Sequence, residues 1–225
     1  MNISQKIGLL GICAILAAAK TGVHGAELTT NQIASSRPVA TNSLKAFETS
    51  ITPSNHELMG LASLSQRSQL ALDEPFKMYT LSIEHLTNYS TNQSFSSLLS
   101  PVEKVIYPFN VSTGAVASSI LRLQSGKWKI ASLGQPRLIR NLDRIRKTLI
   151  QDAKHAGAPI PSVFAVEVPI VSMWLAGYYD PSHSAVLYAW VHILSPATPH
   201  SDHKVSVEEM EKLANEAKAY TGLSN

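Results

Sequence analysis

The tetrapeptide "HSDH" at 200–203 places His200, Asp202 and His203 within four positions, and His183 lies earlier in the same C-terminal third. Imidazole and carboxylate are suitable zinc ligands, and the same groups can move protons in hydrolysis. The spacing, however, matches no established metal or hydrolase motif. The surrounding "SPATPHSDHK" reads as a polar loop, which orients nothing by itself. Nor does the chain contain G-x-S-x-G, H-E-x-x-H or G-x-x-x-x-G-K-[ST]. The expectation is therefore no resident metal and no cofactor. A periplasmic hydrolase working through His192, or through His200, Asp202 and His203, is the alternative reading.

A second kind of chemistry is charge. In "PRLIRNLDRIRKTLIQDAKHAG", Leu138, Leu142, Ile145, Leu149 and Ala153 recur at helical spacing and predict a helix over 137–155. Pro136 suits its first position and Gly157 its C-terminal cap. Arg140, Arg144, Lys147 and Lys154 fall within about 40° of the direction opposite that stripe, at 3.6 residues per turn. Arg137 sits at the edge of the same ridge. Such a ridge suits an anionic partner: lipid head groups, a cell-wall polyanion or an acidic protein. The competing reading is an ordinary solvated face neutralised by acids on neighbouring elements.

The third candidate is the stretch "AVEVPIVSMWLAGYYDPSHSAVLYAW" at 165–190. Glu167, Pro169 and "DPSH" interrupt it, so no piece is long enough to cross a membrane. Its halves, roughly 170–179 and 184–194, flank a turn at Asp180 and Pro181 and read as a β-hairpin. With an even loop, paired positions sum to 363. That register puts Met173, Leu175 and Tyr179 on one face with Tyr188, Trp190 and His192. Both faces are apolar, so each needs a cover. The 137–155 helix can supply one. The other falls to the C-terminal helix, the 55–72 segment, a partner or a small apolar ligand. In the ligand case Met173, Tyr188, Trp190 and His192 would line the pocket.

The remaining elements position these groups. Lys6 followed by the apolar run Ile7–Ala19 has the layout of a signal peptide over 1–25, with cleavage after Ala19 or Gly25. Cys13, the single cysteine, falls inside it, so the exported chain would have no disulfide or thiol chemistry. The leader removes Lys6 and Lys20 and no acid, lowering the formal charge from +3 to +1. Nucleic acid is therefore not an expected partner, and a bacterial periplasmic or secreted protein is.

Residues 26–54 are rich in Ser, Thr and Asn and read as a flexible arm. Ser54 and Glu57 have capping-box spacing before a helix over about 55–72. Alternation predicts a strand in "FKMYTLSIEH". "EKVIYPF" predicts another, with Pro108 near an edge or bend. "AVASSILRLQSGKWKIASLG" predicts a hairpin. Ser206 and Glu209 form a capping box for a last helix over 206–222, after a linker at 196–205. No internal repeat is visible.

The expected fold is α+β, an antiparallel sheet packed against one main helix over 55–195, with an N-terminal helix and a C-terminal docking helix. That outline is similar to cystatin-like and NTF2-like architectures, a likeness of shape that implies no activity. The expected function is a non-catalytic binding or accessory protein of the envelope, with no membrane span in the mature chain.

Overall fold

A computed structural model describes residues 27–189 and 202–222. The expected leader, Trp190, His192 and His200 lie outside the described residues. The chain is α+β, with a large and mostly antiparallel sheet. In order come α1 (Thr30–Ser50), β1 (Ala71–Leu72), β2 (Phe76–Leu81), α2 (Ile83–Thr87), β3 (Leu99–Val111), β4 (Gly114–Gln124) and β5 (Lys127–Gly134). They are followed by α3 (Pro136–His155), β6 (Phe164–Val168), β7 (Met173–Tyr179), β8 (Ala185–Ala189), β9 (His203–Lys204) and α4 (Val207–Thr221). Among the described residues no helix is long and apolar enough to cross a membrane.

The strands are ordered β5-β4-β3-β2-β6-β7-β8-β9, with β1 beside β3. β2 and β6 run parallel, and the other described pairings are antiparallel. The chain thus lays down one four-strand meander and a helix, then a second meander and a helix, and joins the halves along the β2–β6 seam. The repetition is topological and has no counterpart in the sequence.

Alternation sorts the side chains between two faces. Phe76, Met78, Ile106, Ile120, Ala165 and Ala176 point towards α3, which closes over them with Leu138, Ile139, Leu142, Ile145 and Leu149. On the opposite face, Leu81, Phe164, Val166, Leu175 and Leu187 pack against Met210, Leu213, Ala214 and Ala217 of α4. Further along that face, Phe109, Tyr107 and Val105 meet Ala40, Leu44 and Phe47 of α1. Among the described residues α3 therefore covers one face of the sheet, and α1 and α4 cover the other.

Several expectations are corrected. Residues 30–50 of the presumed arm are helix. Thr29 and Gln32 form a capping box, and Ser36, Ala40, Ser43, Leu44 and Phe47 are buried. The buried seam is made largely of small and hydroxyl residues, so it carries little hydropathy. The serines satisfy themselves within the helix, Ser43 Oγ donating to the Ala40 carbonyl at 2.7 Å and Ser36 Oγ to that of Ile33 at 2.6 Å. Residues 55–72 do not form an α-helix. Gly60 at φ +92° ends the turns there, a 3-10 segment covers 64–69, and Leu58 is left exposed.

The strand at 76 stops at Leu81, because Ser82 accepts a hydrogen bond from the His85 amide and starts α2. Pro108 lies inside the long strand β3, where pairing on one side passes from β2 to β1, and its carbonyl accepts from the Asp73 amide. In the expected linker, His203 and Lys204 are a strand paired with β8.

The apolar stretch at 165–190 holds three strands, not two. Its hairpin pairs Ala176 with Tyr188 and Tyr179 with Ala185, so positions sum to 364. The loop is odd because the Asp180 carboxylate accepts from the amides of both Ser182 and Ser184, folding five residues into the turn. A one-residue slip exchanges faces. Tyr188 accordingly joins Trp174 and Tyr178 on the α3 side, whereas Met173 packs towards α4. The β4–β5 hairpin is as expected, its two-residue turn at Ser125 and Gly126 having φ of 51° and 73°.

Candidate functional site

The outward ridge of α3 does not stand free in solvent along its whole length. Arg140, Asp143, Arg144, Lys147, Thr148 and Gln151 form one wall of a cleft of about 460 Å³. The other walls are Gly60, Ala62 and Gln66 from the loop after α1, and Thr113–Val116 from the β3–β4 turn. Helix periodicity brings 140, 144, 147 and 151 to one side, and the turns supply backbone where a side chain would fill the space.

The cations here have different partners. Arg140 Nη2 donates to the Gly60 carbonyl at 2.7 Å, a neutral acceptor. Arg144 makes a two-point pair with Asp202, Nε to Oδ2 and Nη2 to Oδ1, both at 2.7 Å. Lys147 Nζ lies 2.7 Å from Asp143 Oδ2. Arg137 and Lys154, the two ends of the ridge, are exposed and meet no carboxylate among the described residues.

Beneath the ridge is a network the sequence reading missed. Asp143 is buried, yet its carboxylate accepts from Lys147, from Arg146 Nη2 at 3.0 Å and from the Ala115 amide at 3.3 Å. Burial pushes its pKa up, but those hydrogen bonds outweigh it and hold the group below the usual carboxylate range. Arg146 also binds Asp73, donates to the Glu74 carbonyl at 3.1 Å, and stacks over the Phe76 ring at 4.6 Å. The available signal was Arg146, which at 3.6 residues per turn falls inside the core-facing arc, about 60° from the centre of an otherwise apolar stripe.

Two glycines make the cleft. Gly114, at φ +128°, lets Lys147 Nζ come within 2.9 Å of where a Cβ would stand. A Cβ on Gly60 would lie 2.2 Å from the Val116 carbonyl oxygen, with φ at +92°. Gly60→Ala is therefore expected to cost roughly 2–3 kcal/mol in urea unfolding from strain and collision together. Gly126→Ala, with φ +73° but open space around it, should cost only about 1 kcal/mol. Equal effects would show that the close approach to Val116 does not matter.

The other expected site residues are dispersed. Asp202 is held by Arg144, and His203 Nε2 lies 2.8 Å from Glu209 Oε1. The two described side chains of the "HSDH" motif thus turn to separate partners, and among the described residues no group of three His, Cys, Asp or Glu could hold a metal ion. Met173 and Tyr188 occupy opposite sheet faces and cannot line one pocket. Tyr188 stacks on Tyr178 at 6.3 Å, and its hydroxyl pKa is pushed up to about 12, first by burial and then by Tyr178 and Asp152. No family model, curated protein or solved structure matches this chain.

Proposed function

We propose that the chain is an exported, non-catalytic binding protein of the bacterial envelope that holds an anionic group in the cleft beside α3. The carrying observation is the charge inventory of that concavity. Arg140, Arg144 and Lys147 line it, against the carboxylates of Asp143 and Asp202, and among the described residues Arg140 meets a neutral carbonyl and no carboxylate. Thr113, Thr148, Gln66 and Gln151 add neutral hydrogen-bonding groups around the same space. Arg144 already shows the two-point geometry a carboxylate or phosphate would take. The leader-like residues 1–25 support export.

The test is a titration of the purified protein with inorganic phosphate and, separately, succinate, followed by the rise in melting temperature. Saturable shifts are expected. Arg140→Met should weaken them about tenfold, a change of ~1.4 kcal/mol. Asp202→Asn should strengthen them by releasing Arg144. If neither anion shifts the melting temperature, or Arg140→Met binds as the parent does, the reading fails.

A further inference from the structure

On the sheet face covered by α3, the core extends along β3 to Val102, but on β4 and β5 the ladder continues past Ile120 with charged side chains. Ile106 pairs with Ile120, both beneath α3. Two residues further along the same ladder, Lys104 pairs with Arg122, and Arg122 pairs with Lys129 of β5. Directly paired residues on adjacent strands point to the same side, so three cations stand in a single transverse row. Strands are spaced about 4.8 Å apart, making the row roughly 10 Å long. Lys127, paired with Gln124, lies two residues from Lys129 and so on the same face.

Glu167 reaches one end of the row, 3.2 Å from Lys104. Arg122, Lys127 and Lys129 are exposed and meet no carboxylate among the described residues. Like charges placed directly opposite one another weaken a sheet. Here two such neighbours occur in succession, Lys104 half-buried and Arg122 and Lys129 exposed, at the foot of the step made by α3.

We propose that this row is a docking surface for a linear polyanion, an extended acidic polymer laid across the strands beside α3. The cations are in single file at strand spacing, which matches charges repeating along a chain. A helix layer about 10 Å thick rises from the same face, so a flat membrane would meet α3 before it reached the row. The site is separate from the cleft, which abuts the opposite end of β4 at Val116.

The experiment measures binding of fluorescent poly-L-glutamate to the purified protein at low salt, beside phosphatidylglycerol vesicles. Arg122→Glu inserts a carboxylate between Lys104 and Lys129. It should raise the melting temperature while reducing polymer affinity about tenfold or more and flattening its salt dependence. Lys45→Glu, the same charge change on exposed α1, should leave polymer affinity unaltered. Equal losses in both variants would reduce the effect to net charge and overturn the proposal. So would undiminished binding by Arg122→Glu, a lowered melting temperature in that variant, or binding to vesicles without binding to the polymer.

Discussion

Removing residues 206–225 is expected to abolish cooperative unfolding. Met210, Leu213 and Ala217 of α4 have no exposed surface and Ala214 has 2 %. They cover Leu81, Leu86, Phe164, Val166, Leu175 and Leu187 across two four-strand halves. Burying each large apolar side chain is worth ~1.5–3 kcal/mol, and truncation would wet both sides of this contact. The summed loss rivals the whole stability of a domain, about 5–15 kcal/mol. Circular dichroism in urea should show a broad, shallow change in place of a sigmoid. Leu213→Ala should show a graded form of the same effect, about 2–5 kcal/mol. A truncated protein with an unchanged midpoint would instead make α4 a helix seeking another chain.

Arg146→Met should also be damaging, at roughly 3 kcal/mol, because it strips a cation from the buried Asp143 and the half-buried Asp73 while keeping apolar bulk over Phe76. Asp143 would keep Lys147 and the Ala115 amide but lose a hydrogen bond, and Asp73 would lose its cation and keep Asn110 Nδ2, which donates to it at 2.8 Å. The pH dependence separates this from a packing defect. In the parent, the folded pKa of Asp143 lies below its ordinary value of 3.8. Its contribution is therefore complete above 3.8 and is lost as pH falls through the lower, folded value. In the variant, burial gains weight and the carboxylate becomes easier to protonate. The stability gap between the two proteins should narrow as pH falls below about 4, measured by urea midpoints. A gap constant with pH would assign the loss to shape alone.

Local patterns carried much of the architecture. The stripe Leu138–Leu142–Ile145–Leu149 and Pro136 marked α3. The Ser206–Glu209 box and Gly222 marked α4, and the Ser125–Gly126 turn marked its hairpin. Each signal spans one or two helical turns or a pair of adjacent strands, so neighbouring residues contain it. The helix α1 was hidden because Ser36, Ala40 and Ser43 make up most of its buried side beside Leu44 and Phe47, and the fit of such small residues depends on shape more than on hydropathy.

From its residues alone, the chain determines that it is α+β, that its C-terminal third is apolar back and front, and that α3 carries a basic ridge over an apolar stripe. These follow from periodicity, a property of local order. The tertiary structure decided which face each aromatic occupies, since a five-residue turn held by Asp180 shifts the register by one. It also decided that Gly60 and Val116 close a cleft on Arg140, and that Lys104, Arg122 and Lys129 stand side by side. Arg122 and Lys129 share one hairpin, but Lys104 and Arg140 meet their neighbours only through strand pairing and helix docking between segments distant in sequence.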